Sequence, residues 1–191
     1  TLRNYGYNMA GHVLGYVGEA NQKILNEEPY YKSGDYMGIT GIEKAYEKEL
    51  RGIKGAKFFL VDVHNRVKGS YDKGRLDTMA VKGKDLETTL LAELQEYGEQ
   101  LMQNKAGSIV AIEPSTGEIL MLVSTPGYLP EDLVGRKRIE NYPKLAADSL
   151  LPLFNRAVKA QYPPGSTFKM IHALIGLQEN VITPQTTFTC S

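Results

Sequence analysis

Ser166 and Lys169, in the run Pro163-Pro164-Gly165-Ser166-Thr167-Phe168-Lys169, are the residues whose types and spacing could do covalent chemistry. A serine hydroxyl becomes a useful nucleophile only when a neighbouring group takes its proton. A lysine amine can take it once burial or a second cation disfavours its charged form. Two prolines and a glycine cannot extend a helix, whereas the residues from Thr167 to Leu177 have helix-compatible types and apolar spacing. A helix is therefore predicted to begin at or just before Ser166. Residues three apart share a helix face, so the Lys169 amine can swing back to the Ser166 hydroxyl. The positive end of the helix dipole beside Ser166 favours an oxyanion there. The pattern points to an activated serine, with Ser166 as nucleophile and Lys169 as general base.

A serine after Pro-Gly and before an apolar run is also an ordinary helix N-cap. A bare Ser-x-x-Lys arises by chance about once in a chain of this length, but the complete Pro-Pro-Gly-Ser-x-x-Lys in only about one such chain in ten thousand. Other chemistries find less support. His12, His64 and His172 show no metal-ligand spacing with one another or with Cys190, the single cysteine. His172 falls six positions after Ser166, on a different side of the helix, which disfavours a serine-histidine triad. No metal or cofactor is implied. The formal net charge of zero argues against a nucleic-acid surface, and Arg136-Lys137-Arg138 reads as a solvated loop. Met102, Met121 and Met170 fall in apolar runs and read as core, and Tyr16, Tyr46 and Tyr97 read as core or subdomain-contact residues.

The elements that must position Ser166 can be read from pattern. A glycine- and tyrosine-rich first part gives way near Val81-Lys82-Gly83-Lys84 to a more apolar second part. Residues 10–17 read as a short strand. Thr40 and Glu43 suggest a capping box for a helix with Ile42, Ala45, Tyr46 and Leu50 on one side, ended by Gly52. Residues 57–64 and 66–71 suggest a hairpin turning near Asn65. Leu86, Leu90, Leu94, Tyr97 and Leu101 mark one face of a helix of about four or five turns, ended by Gly107. Residues 108–113 and 118–124 read as strands joined by Pro114-Ser115-Thr116-Gly117, apolar on successive residues and so expected to be covered on both faces. The stretch from Pro126 to Pro164, with six of the nine prolines, reads as irregular chain. The fold class expected is α+β.

Several segments resemble the class B penicillin-binding proteins, the D,D-transpeptidases that cross-link peptidoglycan. Arg3-Asn4-Tyr5 and Ala10-Gly11-His12-Val13-Leu14-Gly15-Tyr16-Val17-Gly18 are similar to the family's early motifs. So are Gly38-Ile39-Thr40-Gly41-Ile42-Glu43, Tyr46-Glu47 and Leu50-Arg51-Gly52. Residues 110–120, Ser124-Thr125-Pro126, Asn155-Arg156-Ala157 and Tyr162-Pro163-Pro164-Gly165-Ser166 continue the likeness in family order. The segments at 38–52 and 122–126 look most like the elongation-type branch. Leu91 departs from it, since relatives carry Asp there.

The resemblance implies a non-catalytic pedestal or dimerisation-type region over residues 1–83, then over 84–191 the opening part of a transpeptidase domain with an antiparallel sheet. It implies that Ser166 attacks the D-Ala-D-Ala carbonyl of a stem peptide, that Lys169 takes its proton and that the Ser166 backbone N–H is one oxyanion donor. β-Lactams would acylate the same serine. The family's Ser-x-Asn and Lys-Thr-Gly motifs do not follow Ser166 in these residues, and no apolar run approaches the roughly 20 residues that span a bilayer. The chain is thus expected to be a fragment, inactive by itself, of a protein anchored in the inner membrane with its catalytic part in the periplasm. Expected partners are peptidoglycan stem peptides, β-lactams, elongation-complex membrane proteins and a glycosyltransferase. An open edge on the strands at 108–124 is expected to cause self-association or disorder over 126–164. A β-lactam sensor and a purely structural cell-wall-complex module are the alternatives.

Overall fold

Short helices alternate with three antiparallel two-stranded ribbons in the computed structural model, which describes residues 4–187 and 189. Arg3 of the first motif and Cys190 lie outside the described residues. The helices are α1 (Gly11–Leu14), α2 (Gln22–Glu27), α3 (Gly41–Ala45), α4 (Glu47–Leu50), α5 (Ala92–Leu101), α6 (Lys137–Ala147), α7 (Arg156–Lys159) and α8 (Phe168–Gln178). The strands β1 (Val17–Glu19) and β2 (Tyr36–Gly38), β3 (Phe59–Val61) and β4 (Val67–Ser70), and β5 (Gly107–Ile112) and β6 (Ile119–Thr125) pair in sequence order. The expected α+β class is what forms. Two compact units divide the chain, Thr1–Lys159 and Ala160–Ser191.

In the first unit, residues 10–17 are not the expected strand. Ala10 at φ 57° and Gly15 at φ 80° bracket the single turn of α1, and pairing begins only at Val17, opposite Gly38. Gly15 is required there, because a Cβ would stand 1.9 Å from the Thr40 carbonyl oxygen. The helix expected after Thr40 is split at Tyr46, whose φ of −114° and ψ of 28° separate α3 from α4. Thr40 makes no side-chain cap bond, so the capping box does not form. Glu43 is turned inward instead, with 8 % exposure, and accepts a hydrogen bond from the Tyr5 hydroxyl at 3.3 Å. Tyr46 is exposed, not core. Gly52, at φ 67°, follows the end of α4 as expected, and Ile53 then bridges to Val81. The hairpin β3–β4 turns through Asn65 at φ 58°, while the Asp62 carboxylate accepts from the His64 and Arg66 amides at 2.9 and 3.0 Å.

Helix α5 begins six residues later than Leu86. The Leu91 N–H donates to the Leu120 carbonyl at 2.9 Å and the Thr89 hydroxyl to the Ile119 carbonyl at 2.7 Å, so residues 89–91 run alongside β6. The helix ends at Leu101, and Gly107 opens β5 instead of closing the helix. Tyr97 and Leu101 are exposed, and the residues this helix buries are Gln95, at 2 % exposure, and Gly98. The strand expectation holds, with Ser108 opposite Ser124 and Val110 opposite Leu122. Cover on both faces is confined to the C-terminal half of β6, where the neighbours Val123 and Ser124 are both buried; Val110, Ile112 and Ile119 are exposed.

The stretch after Pro126 is more ordered than its prolines suggest. Pro130 occupies the first turn of a 3₁₀ helix, Pro130–Leu133, where a missing N–H costs nothing, and Leu133 there has 0 % exposure. Pro143 lies within α6. The Arg136-Lys137-Arg138 cluster is the start of α6, not a loop. The Arg138 guanidinium carbon sits 5.5 Å from the centre of the Tyr16 ring and 5.3 Å from that of Tyr142, and Tyr16 is buried as expected. In the second unit a 3₁₀ turn, Gly165–Thr167, runs directly into α8, none of whose residues is buried. Met170 is therefore exposed, whereas Met121 in the first unit is core.

Candidate active site

Ser166 is the middle residue of the Gly165–Thr167 turn and Lys169 the second residue of α8. Gly165 takes φ 59°, a left-handed conformation natural to glycine, and the Thr167 hydroxyl donates back to the Pro164 carbonyl at 2.7 Å. The serine and lysine thus stand one helical turn apart. Both are exposed, and no hydrogen bond joins them among the described residues. The buried setting that a proton-accepting lysine needs is absent from the geometry of this unit, because every apolar neighbour of Lys169 on α8, including Met170 and Ile171, faces solvent too.

Upstream of Ser166, two motifs about thirty residues apart meet within the first unit. The Ser124 hydroxyl oxygen accepts the backbone N–H of Arg156 at 2.8 Å and faces the Phe154 carbonyl at 3.4 Å. Arg156, the first residue of α7, donates its guanidinium N–H groups to the Leu150 and Leu151 carbonyls at 2.5 and 3.2 Å. Ser124 and Asn155-Arg156-Ala157 were visible as sequence motifs, but nothing in their spacing showed that they touch.

Gln95 joins α5 to the edge of β6. Its side-chain amide donates to the Leu122 carbonyl and accepts from the Leu122 N–H, both at 2.9 Å, as a neighbouring strand would. With Leu91 on Leu120, this closes part of the β6 edge that was expected to stand open. The Gln95 amide also donates to the Glu99 carboxylate at 2.9 Å, and the same oxygen accepts the Ala10 N–H at 2.7 Å. Residue 10 is tied to β6 through two side chains.

A second polar knot lies nearer the N-terminus. The Glu47 carboxylate accepts the Tyr31 hydroxyl and the Gly38 N–H, each at 2.7 Å, and Arg51 donates to the Tyr31 oxygen at 3.3 Å while stacking 3.9 Å from the Tyr30 ring centre. Burial pushes the Tyr31 phenol up to about 12. Glu47 and Arg51 of the early motifs are therefore structural side chains.

A cleft of about 1020 Å³ in the first unit is lined by Tyr7, His12, Glu96, Gln103, Thr125 and Tyr128, among others. His12 meets Tyr128 edge-on at 5.0 Å. Burial lowers the His12 imidazole below its ordinary value, and the charges of Arg156 and Lys159 act in the same direction. Burial likewise pushes Tyr128 up to about 12.

The geometry defines a serine and a lysine at the head of a helix, preceded by a ribbon and by motif-bearing loops. The family model for the Penicillin-binding Protein dimerisation domain matches residues 1–88, and that for the Penicillin binding protein transpeptidase domain matches residues 107–191. The chain belongs to the penicillin-binding proteins. Within that family it is similar to the peptidoglycan D,D-transpeptidase MrdA of Salmonella typhimurium, with 37 % identity over 190 residues that make up 96 % of this chain and 30 % of the relative. It is also similar to the penicillin-binding protein PBP2 of Helicobacter pylori solved in complex with MreC, at TM-score 0.78 and 34 % identity, over 98 % of this chain and 35 % of that one. A structure described as the structural coordination of polymerization and crosslinking by a peptidoglycan synthase complex matches at TM-score 0.78 and 31 % identity, over 98 % of this chain and 34 % of that one. The chain thus spans about a third or less of the length of these relatives.

Proposed function

We propose that this chain belongs to a peptidoglycan D,D-transpeptidase and carries its nucleophile. The reading assigns residues 1–83 to a non-catalytic pedestal and residues 84–191 to the opening part of the catalytic domain. Ser166 Oγ attacks the penultimate D-Ala carbonyl of a stem peptide while Lys169 takes the hydroxyl proton. The terminal D-Ala leaves with a proton on its amine, and the remaining peptide is held as a Ser166 ester. An amine from a neighbouring strand then displaces the serine and regenerates its hydroxyl. A β-lactam would acylate the same oxygen through its strained amide. The Ser166 backbone N–H is the oxyanion donor this chain offers.

The observation that carries this reading is the Gly165–Thr167 turn leading into α8, which sets Ser166 three residues before Lys169 inside the segment matched by the transpeptidase family. The relatives' greater length supports the further inference that additional chain covers the exposed apolar residues of α8 and supplies the dry setting Lys169 needs. No helix among the described residues is long and apolar enough to cross a membrane. The reading includes periplasmic residence behind an inner-membrane anchor and a place beside elongation-complex membrane proteins and a glycosyltransferase; the MreC-bound and synthase-complex relatives support partners of a complex in general.

The test is release of D-Ala from a stem peptide ending in D-Ala-D-Ala by the full-length protein. Ser166→Ala should reduce release to background. It should leave the melting temperature within a few degrees, since Ser166 makes no cap bond whose loss would cost about 1 kcal/mol. Undiminished release would refute the assignment.

A further inference from the structure

We propose that the cleft between residues 7–12, helix α5 and the chain after β6 binds a neutral glycan strand of N-acetylated sugars; the choice of a glycan rests on reading the chain as part of a peptidoglycan enzyme. Every residue that lines the cleft belongs to the unit Thr1–Lys159. Its volume of about 1020 Å³ is at the upper end of the roughly 300–1,000 Å³ typical of small-ligand sites. The walls are held by bonds that do not use the outer lining. The Glu99 carboxylate, itself bonded by Gln95, takes the Ala10 N–H at 2.7 Å and ties residues 7–12 to α5. The Thr125 hydroxyl donates to the Lys105 carbonyl at 2.9 Å and ties the turn after α5 to the end of β6. Gly11 lets α1 sit against the third wall, since a Cβ there would stand 2.2 Å from the Tyr128 carbonyl oxygen. A site formed before its ligand arrives loses little binding free energy to ordering.

The lining offers a ligand aromatic and amide surface. Tyr7, 69 % exposed, stands at one wall and Tyr128, met edge-on by His12, at another. Aromatic faces are electronegative and attract the C–H groups on the face of a sugar ring. Asn8, Gln103 and Asn104 also line the cleft, and their side chains make no hydrogen bond among the described residues. Each amide carries donors and an acceptor, so it can pair with an acetamido group, each donating to the other's carbonyl. Charge selects against an anion. Among the described residues the lining holds the carboxylates of Glu96, Glu99 and Asp132 against one cation, Lys105, whose amine lies on the Leu101 carbonyl. Burial disfavours the charged form of His12 as well. A phosphate or carboxylate would meet repulsion here, whereas a neutral chain rich in hydroxyls and amides would not.

The experiment is titration calorimetry of the full-length protein with a tetramer of β-1,4-linked N-acetylglucosamine, beside the fully deacetylated tetramer. The acetylated tetramer should bind saturably, and the deacetylated one, which is cationic and has no acetamido groups, more weakly. Tyr7→Ala and Gln103→Ala should each weaken binding of the acetylated tetramer by about three- to tenfold, through loss of a ring contact or an amide bond. Both side chains are exposed, so both variants should keep the parent's melting temperature. Met79→Ala, at an exposed position outside the cleft, should leave the affinity within about twofold. No saturation up to about 10 mM, unchanged affinity in both cleft variants, or equal or tighter binding of the deacetylated tetramer would overturn the proposal. Release of D-Ala by the same protein and by Ser166→Ala is measured in parallel. Release that depends on Ser166 without binding of the tetramer would defeat the cleft alone. Binding of the tetramer with release that does not need Ser166 would defeat the enzyme reading and keep the cleft.

Discussion

The unit Thr1–Lys159 and the unit Ala160–Ser191 solve opposite problems. In the first, deeply buried positions are polar as well as apolar: Gln95, Glu43 and Ser124 stand among Leu133, Val123 and Tyr16, and each makes specific hydrogen bonds. Buried polar groups are costly unless satisfied, and once satisfied they specify one arrangement. In the second, the helix carrying the proposed chemistry is strongly apolar yet buries none of its residues. The first unit holds its own register. The second presents Ser166 and Lys169 on a scaffold that orders them along a helix but does not desolvate them. Positioning is local here, whereas activation depends on surroundings that α8 does not provide for itself.

The largest effect that sharpens this contrast concerns Lys169. If activation lies in an amine made neutral by its surroundings, Lys169→Arg in the full-length protein should lower acylation by about 10²- to 10⁴-fold, because arginine stays charged and cannot take the serine proton. A loss of less than about tenfold, measured with fluorescent penicillin, would make Lys169 an electrostatic aid only. A smaller effect, on folding, should follow from the first unit. Gln95→Ala strands the Leu122 N–H and carbonyl beside β6, so a loss of about 3 kcal/mol in denaturant unfolding is expected, at roughly 1–3 kcal/mol for each stranded group. A change below about 0.5 kcal/mol would mean that water or a local shift replaces the amide, and that the grip on β6 is weaker than its geometry suggests.

Sequence pattern revealed those elements whose local chemistry and tertiary setting agree. The β3–β4 hairpin has strand-forming arms and a left-handed Asn65, and β5 and β6 are apolar runs separated by Pro114-Ser115-Thr116-Gly117. Helix α8 follows its proline-rich stop as the spacing implies. Where tertiary contacts override local preference, the pattern misleads. Leu86 and Leu90 continue the periodicity of α5, but the Leu91 amide is taken by Leu120, and a residue whose N–H serves a strand cannot also extend the helix. Tyr46 fits an apolar helix face yet falls at the break between α3 and α4, and Arg138 looks like a solvated charge yet packs beside Tyr16 and Tyr142. Pro130 suggested loop because its tolerance at a helix start depends on where the helix begins, which composition does not show. At the proposed site, the helix start that sets Ser166 and Lys169 one turn apart was legible in their spacing. The meeting of Ser124 with Arg156 was not, since contacts between distant residues leave no local periodicity.

The most direct measurement of the central claim is peptide mapping by mass spectrometry of the full-length protein after incubation with benzylpenicillin, beside the Ser166→Ala variant. The account predicts one stoichiometric adduct, on the peptide containing Ser166, and none in the variant; an adduct on a different peptide, or an equal adduct in Ser166→Ala, would contradict it.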